Sequence, residues 1–296
     1  QSAARHHSKG NSRQEPCRER GYRICVENLA GQADRWFEKR RTKYYFQSKQ
    51  NILTMKELIE KACHALRQAD AILIGASNGL SIAEGYNIFA DNEMFRSQFG
   101  SFRQRFGIHS VLDGCFHNYP SETDLHEFLS RLVEYWVKDY RPSQVMDNLR
   151  AIIGDKPHFI LTTNGDMHLE LSGFDPACVW EIEGTFTHLL QGKQPDNKQD
   201  VVNSFLSRYT GKRLVVLELG IGSRNRIIKQ PLMQLVEHEP NATYITLNLP
   251  HELYIPEEIA GKSIALPGDI AITLVEINNC MEGMHPHTET ASTGKR

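Results

Sequence analysis

Several features that mark common protein classes are missing from this sequence of 296 residues. No apolar run approaches the ~20 residues needed to span a bilayer, and the first thirty residues lack the apolar stretch of a secretory signal. We therefore expect a cytoplasmic protein with no membrane partner. The six cysteines include no C-x-x-C pair, which argues against a zinc site and a disulfide framework. We expect reduced thiols and no bound metal.

Familiar catalytic signatures are missing as well. The sequence has no P-loop, no metal-ligand spacing and no nucleophile elbow, so NTPase, metalloenzyme and hydrolase functions are not expected. The formal net charge is −2, but residues 1–54 carry a balance of +7 and the remainder carries −9. An acidic body does not favour general binding of nucleic acid.

Composition divides the chain into three parts. Residues 1–54 are polar and basic, and we expect them to form a disordered or helical extension. A run of basic residues at 39–43 lies between aromatic residues of this segment. That run could contact RNA or an anionic surface, or simply form a solvated face. We expect a catalytic domain over 55–280, with an aromatic-rich helical insertion at about 86–141, and a disordered tail over 281–296.

Short apolar strands alternate with helical patterns through the catalytic domain. Such strands, without inward and outward alternation, predict a parallel sheet covered by helices on both faces. Ligands of these sheets bind beyond the carboxyl ends of the strands. The predicted strands cover 71–75, 158–162, 179–182, 214–219, 243–247 and 263–266, and the predicted helices cover 55–69, 200–209, 227–238 and 269–279.

The first strand leads into small and flexible residues, AILIGASNGLSIAEG at 71–85. A loop of this composition lets the backbone approach a phosphate closely before a helix that we expect around Ile82 and Ala83. The spacing is not G-x-G-x-x-G, so an ordinary turn between strand and helix is the alternative. A dinucleotide site here would use Ala76, Ser77, Asn78, Gly79 and Ser81.

Polar residues and glycines follow the later strands too. TTNGD at 162–166 follows the second strand, and Glu183-Gly184-Thr185 follows the third. Residues at the remaining strand ends could contact a nucleotide ribose or phosphate. Each of them could equally be a loop residue whose polar groups bind water. These candidates are Gly220, Gly222, Ser223, Arg224, Asn225 and Asn248.

The order of these motifs resembles that of the sirtuin family of NAD-dependent enzymes over residues 55–280. SNGLS at 77–81 stands where sirtuins carry G-A-G-x-S, TTNGD where they carry T-Q-N-x-D, and GIGS at 220–223 where they carry G-T-S. The resemblance implies a Rossmann-like, doubly wound parallel sheet that binds NAD.

Three departures point to the macrodomain-linked class M sirtuins. Glu183 stands where deacylases carry a histidine, the paired zinc cysteines are absent from 184–213, and YNIFADNEMF replaces P-D-F-R. The segments LELGIG at 217–222 and IIKQP at 227–231 are similar to those of the subclass. The resemblance implies protein ADP-ribosylation without a zinc module, a lipoyl-carrier protein as substrate and a functional link to a macrodomain protein.

The chemistry assigns roles to three candidate catalytic residues. Asn164 can hydrogen-bond a ribose hydroxyl or a water, and Asp166 can accept from the nicotinamide amide or orient Asn164; the alternative is an Asx turn before a helix near Met167. Glu183 is a poor base unless burial raises its pKa, but it can hold ribose hydroxyls and offset developing positive charge.

The sequence leaves two other functions open. A zinc-free deacylase would need Glu183 or a nearby residue such as His188 to act as base, although we expect His188 to be a surface or packed residue of the next strand. A non-catalytic NAD sensor would bind NAD without releasing nicotinamide.

Overall fold

The computed structural model describes residues 53–223 and 225–283. The predictions for segment 1–52 and for a phosphate contact by Arg224 lie outside the described residues, as does the predicted tail from residue 284 onward. Within the described ranges, no helix combines the length and apolarity that crossing a membrane requires. The same ranges contain no group of three or more His, Cys, Asp or Glu side chains placed to hold a metal ion.

Six strands form one sheet in which every neighbouring pair is parallel. They are β1 (Ala71–Ala76), β2 (His158–Thr162), β3 (Val179–Glu181), β4 (Leu214–Leu219), β5 (Thr243–Asn248) and β6 (Ser263–Pro267). Their order is β3-β2-β1-β4-β5-β6. This confirms the predicted Rossmann-like, doubly wound α/β fold. The direction of winding reverses between β1 and β4, which is where such sheets open a ligand crevice.

The helices of the described residues flank this sheet or lie between its strands. They are α1 (Met55–Gln68), α2 (Asn78–Ala83), α3 (Glu93–Phe106), α4 (Val111–Phe116), α5 (Glu122–Val133), α6 (Gln144–Ile153), α7 (His168–Leu171), α8 (Phe186–Gln191), α9 (Gln199–Tyr209), α10 (Lys229–His238) and α11 (Ile270–Gly283), with a π-helical turn at Glu134–Lys138 and 3₁₀ turns at Pro176–Cys178 and Glu257–Lys262.

Alternate residues of β1 supply the two apolar layers. Ile72 and Ile74 pack with α1, α6 and α11 on one face. Leu73 packs with α9 and α10 on the other face. Both β1 and β4 are buried throughout because helices cover both faces of the sheet, and both are apolar apart from Glu218 in β4.

The chain from α3 to the π-helical turn has an apolar core of its own. Aromatic rings dominate this core, with Phe95, Phe99, Phe128 and Trp136 fully buried. These helices lie between α2 and α6 in the chain. Their position brings aromatic side chains close to the carboxyl end of β2.

Two local predictions were wrong. The sequence predicted a flexible loop through Ser81, but α2 begins at Asn78 and only the extended residue Ser77 separates it from β1. Helix formation is possible there because the small Gly79 lets the first turn of the helix lie against the backbone of Gly220. His188 was expected on a strand, but it lies in α8, where the Thr185 side chain accepts a hydrogen bond from its backbone N–H at 3.0 Å.

Candidate functional site

The carboxyl ends of β1, β4 and β5 are joined by backbone hydrogen bonds. The Ser77 N–H donates to the Leu219 carbonyl at 3.2 Å, and the Gly220 N–H donates to the Leu247 carbonyl at 3.0 Å. These bonds extend the sheet pairing by a residue past the strands. The residues expected to bind NAD at these three strand ends are therefore neighbours in space.

Gly79 and Gly220 meet where α2 crosses the turn after β4. The Gly79 N–H donates to the Gly220 carbonyl at 3.1 Å. A Cβ atom on Gly79 would lie 2.5 Å from the Gly220 Cα, and Gly220 has a φ of +61°. No larger residue fits this crossing without displacing backbone, so the sequence uses glycine on both sides.

Asn164 is held in one orientation after β2. Its Nδ2 donates to the Ser77 carbonyl at 3.1 Å and to Ser81 Oγ at 2.9 Å, and its backbone N–H donates to Thr162 Oγ1 at 3.0 Å. The Asn164 side chain is buried, and its Oδ1 accepts no hydrogen bond from the described residues. Because both donor contacts fix the amide, the acceptor oxygen is the end that is left for a ligand.

Asp166 is tied to the same group of residues. Its Oδ2 accepts the Ser81 hydroxyl at 2.5 Å, and its Oδ1 accepts the backbone N–H of His168 at 3.1 Å. The second contact is the Asx turn that the sequence offered as the alternative role for this motif. The structure therefore contains this turn, and the turn holds Asp166 beside Ser81 and Asn164. Met167, with a φ of +61°, makes the sharp turn into α7.

The loop that contains Glu183 lies against the loop that contains Asn164. The Phe186 N–H donates to the Gly165 carbonyl at 2.7 Å, and a Cβ on Gly165 would lie 2.9 Å from the Gly184 carbonyl oxygen. Among the described residues, no hydrogen bond links Glu183 directly to Asn164 or Asp166. Backbone packing, not side-chain contact, brings the three candidate catalytic residues to one edge of the sheet.

Glu183 is open to solvent although protein atoms surround much of it. Glu183 as a whole is exposed. Nearby protein atoms nevertheless remove some water from its carboxyl, and this partial desolvation raises the pKa of the carboxyl above its ordinary value. Water that reaches the carboxyl stabilises its ionised form and offsets the partial desolvation. We therefore expect the Glu183 side chain to be ionised at neutral pH.

The turn after β4 uses its own polar groups to hold its shape. Asn225 Oδ1 accepts the backbone N–H groups of Ile227 and Ile228 at 3.0 and 2.8 Å. The Ser223 N–H donates to Glu252 Oε2 at 2.8 Å, and the Asn225 N–H donates to the Gly222 carbonyl at 3.0 Å. The proposed ribose contacts of Ser223 and Asn225 stay predictions, and their visible role is to shape the turn.

A buried ion pair lies beneath this turn. Lys229 Nζ is 2.8 Å from Glu218 Oε1 and also donates to the Ile221 carbonyl at 3.2 Å. Tyr244 donates its hydroxyl to Glu218, and Asn248 Nδ2 donates to the Ile221 carbonyl at 2.8 Å. Burial raises the pKa of Glu218, while Lys229 acts in the opposite direction. The predicted ligand contact Asn248 therefore supports the turn from below.

Two pairs of buried charged residues beside the candidate site were missed by sequence reasoning. Glu218 and Lys229 are charged residues in otherwise apolar segments, and that contrast was the available signal. His168 was not among the predicted site residues, but it is 1% exposed and lies 2.9 Å from Glu84 Oε2. No periodic pattern links His168 with Glu84, because they belong to different elements.

Comparison with known proteins finds similar chains among the curated proteins and among the solved structures. A scan against models of protein families finds no match. The chain is 23% identical over 264 residues to a protein of Staphylococcus aureus strain Mu50 named "Protein ADP-ribosyltransferase", with 70% of this chain and 82% of that protein covered. A solved structure described as "Structural Basis for the Mechanism and Regulation of Sir2 Enzymes" shares 11% identity and a TM-score of 0.46, with 78% of this chain and 100% of that chain covered.

Proposed function

We propose that this chain is an NAD-dependent protein ADP-ribosyltransferase of the sirtuin type, closest to the macrodomain-linked class M. It transfers ADP-ribose from NAD to a protein acceptor and releases nicotinamide. The observation that carries the proposal is the Asn164 amide, fixed by its donor contacts with its acceptor oxygen unpartnered. The name of the Staphylococcus aureus relative agrees with this activity.

The described residues fit NAD at the point where the winding of the sheet reverses. The glycine crossing of Gly79 and Gly220 brings the backbone of two strand-end segments together without side chains, as close approach to a pyrophosphate requires. Asn164 Oδ1 is a buried acceptor that a ribose hydroxyl or a bound water would satisfy. Ala76, Ser77, Asn78 and Ser81 would line the same crevice.

The chain's own residues then have distinct roles. Bound NAD supplies the ADP-ribosyl group and nicotinamide as leaving group. Asn164 accepts a hydrogen bond from the nucleotide, and Asp166 keeps Ser81 and hence the Asn164 amide oriented. Glu183, as a carboxylate at the same edge of the sheet, offsets positive charge that develops as nicotinamide leaves. The proposed acceptor is a lipoyl-carrier protein, with a macrodomain protein as functional partner.

A deacylase of the sirtuin type is the second candidate. The raised pKa of Glu183 favours it, because a carboxylate with a higher pKa is a better base. The exposure of Glu183 works against it, since an accessible carboxylate stays ionised and weakly basic at neutral pH.

The test uses NAD labelled in its adenylate half and a lipoyl-carrier protein with and without its lipoyl group. Label should become covalently attached to the carrier with the wild-type chain. Asn164→Ala should reduce the rate by about 100-fold or more, and Glu183→Gln should reduce it with unchanged thermal unfolding. Glu60→Gln, at an exposed glutamate of α1, is the matched control and should leave the rate unchanged.

Each alternative outcome has a clear meaning. Release of labelled acyl-ADP-ribose from an acylated carrier, without labelled protein, would establish the deacylase. NAD binding without nicotinamide release would support a sensor, and Glu183→Gln would then alter affinity at most. Attachment of label that survives in Asn164→Ala would contradict the placement of the site.

A further inference from the structure

A buried pair, His168 and Glu84, lies directly behind Asp166, and the proposed reaction assigns a role to neither residue. His168 Nδ1 is 2.9 Å from Glu84 Oε2 and 3.8 Å from Asp166 Oδ2. The side chains of His168 and Glu84 are 1% and 0% exposed. A buried histidine between two carboxyl groups is costly to assemble unless its charge balances theirs.

The hydrogen-bond partners favour the charged form of the ring. His168 Nε2 lies 2.9 Å from the Trp136 carbonyl, which can only accept, so Nε2 carries a proton. Glu84 Oε1 accepts the hydroxyls of Tyr140 at 2.7 Å and Ser143 at 2.6 Å, as an ionised carboxylate does. With a carboxylate facing Nδ1, both ring nitrogens donate and His168 is an imidazolium.

Aromatic rings enclose this cation. The Tyr140 ring stacks on His168 with centroids 3.8 Å apart, and the Tyr86 ring meets it edge-on at 4.6 Å. Aromatic faces stabilise a cation that has lost its water. Tyr86 and Tyr140 precede α3 and α6 respectively, so they lie at the two ends of the helical insertion, and Trp136 lies in its π-helical turn.

Hydrogen bonds continue from His168 to the proposed catalytic amide. The backbone N–H of His168 donates to Asp166 Oδ1, and Asp166 Oδ2 accepts the Ser81 hydroxyl. Since the Ser81 hydroxyl donates its hydrogen bond to Asp166, its oxygen is free to accept one from Asn164 Nδ2. Asp166 accepts at both oxygens, and only Ser81 both donates and accepts in this series. The positive charge of His168 stabilises the Asp166 carboxylate, which orients Ser81 and thereby Asn164.

We propose that His168 is a positioning residue for the proposed reaction: as a buried imidazolium paired with Glu84, it holds Asp166, Ser81 and Asn164 in register and ties them to the helical insertion. This inference rests on the proposed function, because positioning matters only if Asn164 acts on NAD. It gives the helical insertion a role in the proposed reaction.

The proposal predicts a loss of activity at alkaline pH. Burial alone would lower the pKa of His168, but the charge of Asp166 and the hydrogen bond and charge of Glu84 raise it above the ordinary value. The charged form and its stabilising contacts are complete at low pH and are lost as pH rises through that elevated pKa. Burial raises the pKa of both Tyr86 and Tyr140, so these facing groups stay neutral in that range.

The first experiment measures protonation directly and needs no turnover. In protein labelled with ¹⁵N at histidine and asparagine, NMR should show both His168 ring nitrogens protonated at neutral pH. The Asn164 side-chain amide signals should shift with the titration of His168. The proposal would be overturned if the His168 ring were neutral at neutral pH, or if the Asn164 amide signals did not shift as His168 titrates. Either result would count whether or not the chain transfers ADP-ribose.

The second experiment compares rates of nicotinamide release across pH. His168→Gln should lower kcat by about 10-fold to 100-fold with little change in KM for NAD, and it should remove the alkaline decline. His126→Gln, at an exposed histidine of α5, should behave like the wild type. An alkaline decline that persists in His168→Gln would contradict the assignment.

A double variant separates positioning from simple stability. His168→Gln leaves Glu84 buried without its cation, so a lower unfolding midpoint is expected, and Glu84→Gln combined with His168→Gln should restore it. Positioning predicts that the double variant recovers stability but not kcat. Recovery of both would show that the pair only stabilises the fold and would refute the proposal.

Discussion

The two sides of the proposed NAD crevice are built by different means. On one side, Asn164 and Asp166 after β2 both hydrogen-bond Ser81 of α2, and Asp166 also accepts the backbone N–H of the buried His168. After β4, the turn at 220–223 is shaped by backbone contacts and by side chains that bond to backbone. The first side has an unpartnered acceptor to offer a ligand, whereas the second offers mainly shape. Chemistry is therefore expected on the β2 side and nucleotide binding on the β4 side.

The largest effect on either side of the crevice is expected from removing the ion pair beneath the turn after β4. Lys229→Met would leave Glu218 buried without its cation and remove a donor from the Ile221 carbonyl. We expect a loss of about 3–5 kcal/mol in the free energy of unfolding, measured by urea denaturation. Lys229→Met combined with Glu218→Gln should lose less, because no unbalanced charge remains. An equal loss in the single and double variants would show that the ion pair does not determine stability here.

The crossing of Gly79 and Gly220 joins the two sides, and a methyl group tests it. Gly79→Ala would place a Cβ 2.5 Å from the Gly220 Cα, so we expect about 1–3 kcal/mol of destabilisation and weaker NAD binding by calorimetry. Gly100→Ala is the matched control, because its Cβ would meet nothing within 4 Å. Alanine in that helix should stabilise by at most about 1 kcal/mol. Similar effects at both positions would refute the crowding argument.

A carboxyl pair on the β2 side predicts a smaller effect that depends on pH. Burial and the neighbouring Glu181 raise the pKa of Glu170 to about 8, so the folded chain prefers its neutral form. The stability from that form is complete below the ordinary glutamate pKa and is lost as pH rises through about 8. The glutamine of Glu170→Gln stays neutral at every pH. The unfolding midpoint of this variant should therefore rise relative to that of the wild type as pH increases from about 5 to about 9.

The exposed glutamate Glu60 provides the control for this comparison. Its nearest cation is Lys56, at 4.0 Å on the surface of α1. Glu60→Gln should keep a constant offset from the wild type over the same pH range, because exposed pairs contribute little. A constant offset for Glu170→Gln as well would show that its carboxyl is not held neutral by the fold.

Much of the site could be predicted because strand ends are local features. Largely apolar runs such as 71–75 and 214–219 marked the strands, and a parallel sheet places every carboxyl end at one edge. TTNGD at 162–166 was therefore expected beside SNGLS at 77–81, and hydrogen bonds from Asn164 to Ser77 and Ser81 join them. The start of α2 was missed because glycine and serine favour loops in isolation, while contact with Gly220 stabilises the helix.

The sequence by itself determined the layered α/β architecture and the polar character of the strand ends, because both follow from residue patterns within short segments. Only the tertiary structure decided which buried charges meet. His168 and Glu84 lie 84 residues apart, and Lys229 reaches Glu218 from the following helix. The order of the strands and the path of the insertion bring such pairs together. The Coulomb attraction that holds them depends on distance in space and on exclusion of water, neither of which is written in local sequence.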